Sequence, residues 1–357
     1  DVKIEINNAN VFSKYTQYKN LSTGTVNVSG VSAHTGILVG TGSTNLSNLS
    51  TLNTSATDQI AITITDSDLD NSDIGAINTV AGKTASAVTA TIAGVASDLT
   101  SLNTGTTDVI TMNVSGNTNY SDANILSGKT SALSNLNIDA IQDSVSTLIG
   151  SSISNDVLAR ATTVTATGGA TDVSKAETLA AFSKAIVYDI SDDASALTAT
   201  TSATELAITE ANAVTCTEAL TVAEAVEMIG SNSANKCTFS ISDDASTIVA
   251  AEGGTHSSHP VAQNAYNQAI SVGNVTLTPA SVSDLIALVN DIASMTYTVR
   301  DTPANLAADT ANLTTLMAGA NAIQVVDFDE SGGVVNTVYD FSDATIRSNF
   351  STIVSRA

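Results

Sequence analysis

The chain has 357 residues, 43% of them hydrophobic, and carries 35 acidic against 12 basic side chains for a net charge of -23. Like-charge repulsion excludes a nucleic-acid backbone or an anionic membrane surface as a partner. The apolar content, with only 13% charged residues, excludes an intrinsically disordered chain.

Trp is absent and aromatics are 4%, so Ala, Val, Leu and Ile must build the core. Small side chains of this kind form thin layers with close backbone approach. No run of about eighteen apolar residues occurs, so no transmembrane helix is expected. The first residue is Asp1, which reads as a processed chain or a piece of something longer. Cys216 and Cys237 are the only cysteines. A single pair in a Ser/Thr-rich chain is expected to form one disulfide outside the cytosol, the alternative being two buried free thiols.

In chain order, residues 1–50 read as a strand-rich segment. Val2-Lys3-Ile4-Glu5-Ile6 alternates apolar and polar, and Thr25–Ser29 and Gly36–Gly40 look similar. Lys3, Lys14 and Lys19 make this end basic, which suits docking onto the acidic body of a neighbour, or simply an edge sheet protected by lysines. A first repeat block is expected over 51–165. Thr51-Leu-Asn-Thr-Ser-Ala-Thr-Asp-Gln-Ile60 returns 50 residues later as Ser101-Leu-Asn-Thr-Gly-Thr-Thr-Asp-Val-Ile110. A looser copy runs from Leu316 to Asp327. Between the copies, Ala87, Val88, Ile92, Val95, Ala96 and Leu99 fall at helical spacing, which predicts a helix over 84–102.

A second repeat block is expected over 172–357. Helices are predicted at 176–184 and 283–294, each followed by a strand and a polar turn. The turn is a phrase used four times: Tyr188-Asp-Ile-Ser-Asp-Asp-Ala-Ser-Ala-Leu197, Phe239-Ser-Ile-Ser-Asp-Asp-Ala-Ser-Thr-Ile248, Tyr297-Thr-Val-Arg-Asp-Thr-Pro-Ala-Asn-Leu306 and the shortened Tyr339–Ile346. The second Asp, or Thr302, stands where a helix N-cap belongs, and Pro303 falls in a first turn, where its missing N–H costs little. Tyr, Ile and Leu are expected to point inward. Repetition at this period describes stacked units that cannot bury a core singly. The fold class expected is therefore an α/β repeat array, solenoid-like, of stacked strand–helix units with a strand-rich N-terminal segment.

The phrase at 297–306 resembles the Val-x-Asp-Thr-Ala-Ala-Asn-Leu repeats of giant secreted bacterial surface proteins, adhesins and surface-layer-like proteins among them, and of cyanobacterial or cyanophage structural proteins. It covers about half of the chain, with one good copy and three degenerate ones. Asp-Asp-Ala-Ser at 192–195 and 243–246 departs from the pattern. The resemblance implies an extracellular structural or adhesive part, often calcium-associated, and carries no catalytic residues.

Two acidic loops have the composition of a calcium site. Asp66, Asp68, Asp70 and Asp73 lie within eight residues, and Asp327, Asp329 and Ser331 precede a Gly in a second loop. Alternating oxygens suit a hard cation. The plainer alternative is a solvated turn with a capping Asp. Neither loop is closed by a Glu. His256 and His259 lack further zinc ligands. Gly82-Lys-Thr84 and Gly128-Lys-Thr130 lack the preceding glycine of a phosphate loop and read as helix starts. With three histidines and no nucleophile turn, an enzyme is not expected. The functional expectation is an extracellular structural protein that self-assembles into a layer, filament or sheath, calcium-assisted. The alternative is an adhesin or tail-fibre module that binds a glycan or receptor.

Overall fold

The computed structural model describes residues 28–33, 60–199, 201–230, 236–306, 312–328 and 334–341. Two compact units divide the chain. One comprises Asp1–Gly169 with Thr178–Val187, the other Ala170–Glu177 with Tyr188–Ala357.

In the first unit, six strands follow one another across a sheet in chain order: β1 (Val28–Ala33), β2 (Ile60–Ile64), β3 (Val88–Gly94), β4 (Val109–Thr118), β5 (Leu136–Ser144) and β6 (Ala161–Thr167). Every pairing is parallel. Parallel neighbours require a crossover, and helices at Ile74–Ala81, Ala96–Leu99, Tyr120–Ser127, Val145–Leu148 and Asn155–Leu158 supply it.

The strands alternate. Val88, Ala90 and Ile92 are buried, as are Ile110, Met112 and Val114, whereas Thr91, Ala93, Asn113 and Ser115 between or beside them are exposed. Parallel sheets are usually covered on both faces and read as continuous apolar runs. This one is packed on one face, against helix residues such as Ile77, Val80, Ala123 and Leu126, and leaves the other face to solvent.

The second unit repeats the arrangement. Strands β7 (Asp189–Asp192), β8 (Ala213–Leu220), β9 (Cys237–Asp243), β10 (Val275–Leu277) and β11 (Met295–Thr296) again stand in chain order, all parallel. A three-stranded sheet follows. In it β12 (Thr298–Asp301) runs parallel to β13 (Ala322–Phe328), and β13 pairs antiparallel with β14 (Val334–Phe341). The fold is therefore α/β, with parallel sheets built from alternating strand–helix modules. None of the described helices is long and apolar enough to cross a membrane.

The repeated phrase points its apolar members inward as expected. Tyr188, Ile190 and Leu197 are buried, as are Phe239, Ile241 and Ile248 in the second copy and Tyr297, Val299 and Leu306 in the third. Three helix expectations are corrected. Residues 84–102 hold β3 and a single helical turn at Ala96–Leu99. Val88-Thr-Ala-Thr-Ile92 has the β-branched alternation of a strand, which overrides the coincidental helical spacing of the same residues. The helix expected at 176–184 lies at Val173–Ala180. That expected at 283–294 ends at Ala287, and a 3-10 turn at Ile292–Ser294 follows. Of the strand-rich segment at 1–50, only β1 lies within the described residues.

Candidate functional site

The two acids of the repeated phrase have separate tasks. Asp193 and Asp244 are N-caps, each accepting the backbone N–H of the third helical residue, Ala196 at 2.9 Å and Thr247 at 2.8 Å. The acid before each reaches backward. Asp192 accepts the N–H of Val173 at 2.9 Å, Asp243 that of Val222 at 2.9 Å, and Asp301 that of Val282 at 2.9 Å. Each acceptor binds the first N–H of the preceding module's helix, a donor that no helix can satisfy internally. Their second oxygens take the next residue's N–H, at Asp193, Asp244 and Thr302. Asp143 makes the same pair of contacts to Tyr120 and Ser144, although the Gln142-Asp143-Ser144 turn does not stand out as a copy in sequence. Glu218 takes the role toward Ala194.

Other residues join the modules at their opposite ends. Tyr188 and Tyr297 each donate a phenol hydrogen to a helix carbonyl 19 residues later, Ala207 and Leu316, at 2.8 Å. Burial and the nearby Glu210 carboxylate push the Tyr188 hydroxyl well above its ordinary pKa. Lys129, Lys184 and Lys236 donate to carbonyls of earlier segments, at Leu102, Thr162, and Thr209 with Ala211. Cations suit the carbonyl-rich ends of helices. Gly82 and Gly128 are C-caps of Ile74–Ala81 and Tyr120–Ser127, not the helix starts expected.

The acids at 66–73 are arranged as a capped turn. Asp70 accepts from the amide and hydroxyl of Ser72, and Asp73 accepts the N–H of Asp70 at 3.0 Å. Those contacts hold the Asp70 carboxyl below its usual range, the Ser72 hydroxyl being the larger cause. Asp66 is buried, while Asp68 and Asp70 are exposed. Asp327 stands in β13 in register with Val335, and Asp329 and Ser331 lie outside the described residues. Among the described residues no group of three or more His, Cys, Asp or Glu side chains is placed to hold a metal ion.

The expected disulfide is corrected as well. Cys216 and Cys237 are both free and buried. They occupy neighbouring strands, but the register sets Cys237 beside Val214 and leaves Cys216 further along β8. Burial raises the pKa of both thiols. They behave as small apolar core residues.

A hollow of about 330 Å³ opens on the solvent face of the first sheet, lined by Asn113, Ser115, Asn137, Asp139, Arg160 and Thr162 among others. Its cause is local. The β4–β5 register slips between Val114 and Asn117, and Gly116 in the slip has φ +73°. A bulge of this kind bends one strand out of the sheet and re-aims its side chains. Asp139 accepts the Gly116 N–H at 3.1 Å, and Asn137 donates to Asn113 at 3.0 Å across the two strands. Arg160, one residue before β6, has a buried Nε without a hydrogen-bond partner. Sequence reading overlooked this site, because a lone Arg and scattered Asn and Thr have no motif spacing.

No family model matches the chain, and neither does any curated protein or solved structure.

Proposed function

We propose that this is an extracellular structural protein, a solenoid-like stack of strand–helix modules that self-associates into a filament, layer or sheath. One observation carries the reading. A carboxylate at the end of one strand satisfies the helix of the module before it, at Asp143, Asp192, Glu218, Asp243 and Asp301. A module is then completed only by its successor, which is the logic of end-to-end stacking. Calcium enters the proposal as a screen between copies, because a chain of net charge -23 repels its own kind. The free thiols remove the disulfide as support for the extracellular placement, which rests on the resemblance and on the acidic composition. Sedimentation over a range of protein concentrations, with calcium and with chelator, tests the reading. Growth of large species with concentration is expected, and a single monomeric boundary throughout would refute it.

The second reading, a module that binds a glycan, is favoured by the polar hollow on the open sheet face.

A further inference from the structure

We infer that the hollow at Arg160 is a seat for a carboxylate-bearing saccharide, a uronic-acid residue of an acidic polysaccharide. This rests on the second reading above and does not depend on self-assembly.

Arg160 lines the hollow. Its Nε is buried and unpartnered, whereas buried polar groups in folded proteins are almost always paired. The carboxylate of the lining, Asp139, has one oxygen on the Gly116 amide. With Nε closed off, the terminal Nη groups of a lining guanidinium are the ones a planar carboxylate can bridge with two parallel N–H bonds.

The rest of the lining suits hydroxyl groups. With the amides of Asn113 and Asn137 bonded to each other, one Nδ2 on Asn113 still donates and Oδ1 of Asn137 still accepts. The second oxygen of Asp139 accepts, and the exposed hydroxyls of Ser115 and Thr162 do either. Donors and acceptors that alternate around one cation match a sugar ring bearing one carboxylate. The volume of about 330 Å³ lies at the small end of ligand sites and suits one or two sugar residues. The overall charge of -23 opposes an anion, but charges beyond about 8 Å are largely screened at physiological salt.

The test is calorimetric titration of the whole chain with tri-galacturonate and with uncharged galactotriose, repeated with Arg160→Gln and with the double variant Ser115→Ala, Thr162→Ala. Thermal melts verify that each variant folds, and the double variant changes only exposed side chains. The inference expects tri-galacturonate to bind at least about tenfold more tightly than galactotriose. It expects Arg160→Gln to remove that preference, and the double variant to weaken both sugars. Equal binding of the two sugars, unaffected by Arg160→Gln, would overturn the acidic preference while leaving glycan binding standing. Binding of neither sugar would overturn both.

Discussion

Asp243 reaches back 21 residues to accept the backbone N–H of Val222 at 2.9 Å, while its other oxygen holds the N–H of Asp244 at 2.8 Å. One carboxylate thus joins the end of one strand to the start of the helix before it. Replacing it leaves two helix-terminal donors without their acceptor. Hydrogen bonds to charged groups contribute about 1.5–3 kcal/mol each, so Asp243→Ala is expected to cost about 3 kcal/mol. Asp243→Asn keeps one acceptor oxygen and should cost about half of that. Urea unfolding measures both, and an Ala variant as stable as the parent would show that the contact carries no load.

The capping acids set the acid limit of the fold. The Ala196 amide and the Ser195 hydroxyl hold Asp193 low, and the Ser246 hydroxyl and the Thr247 amide hold Asp244 low. The Lys175 side chain and amide do the same for Asp172. A carboxyl whose folded pKa lies below its unfolded value of about 3.9 stabilises fully above that value. The contribution is lost as pH falls through the folded pKa. Urea midpoints are therefore expected to stay level from about pH 7 to 5 and to fall below about pH 4. The variant Asp193→Asn, Asp244→Asn keeps good N-caps and should flatten that acid limb. An unchanged limb would place the acid sensitivity elsewhere.

Gly319 ends the helix Leu313–Gly319 beneath Tyr297. A Cβ there would lie 2.6 Å from the Tyr297 hydroxyl, which donates to Leu316 at 2.8 Å. Gly→Ala in a helix ordinarily gains about 1 kcal/mol. Here the loss of a buried hydrogen bond outweighs it, and Gly319→Ala is expected to destabilise by about 1–2 kcal/mol. The cost should vanish in a Tyr297→Phe background, which a double-mutant cycle of thermal unfolding reads directly. Equal cost in both backgrounds would contradict the contact.

Thr118 and Thr171 bury hydroxyls that have no partner. Removing an unsatisfied polar atom without changing shape is neutral or stabilising. Thr118→Val is expected to leave stability unchanged or raise it by up to about 1 kcal/mol. A drop of more than about 1 kcal/mol would mean the hydroxyl is bonded in solution.

Much of the architecture was legible because it depends on neighbours in sequence. The capping role of Asp193 and Asp244 follows from their place before Ala-Ser, and the inward Tyr, Ile and Leu follow from alternation. The backward role of Asp192 and Asp243 was not legible, since their partners lie 19 and 21 residues earlier. Strand β3 reads as helix in the sequence because Val88 and Ile92 fit both periods, and only the register with β4 decides. The clustered acids at 66–73 have the composition of a cation loop, and the capping-turn geometry that engages one oxygen of Asp70 and one of Asp73 was not legible from composition. The hollow at Arg160 arises from a register slip at Gly116, which composition does not encode.

Electron microscopy of the purified chain, with calcium and again after chelation, tests the proposed self-assembly most directly. The account predicts ordered filaments or sheets in calcium that loosen when it is removed. Ordered assemblies indifferent to chelation would keep the structural role and discard the calcium screen. Dispersed single particles under both conditions would contradict self-assembly and leave glycan binding as the leading reading.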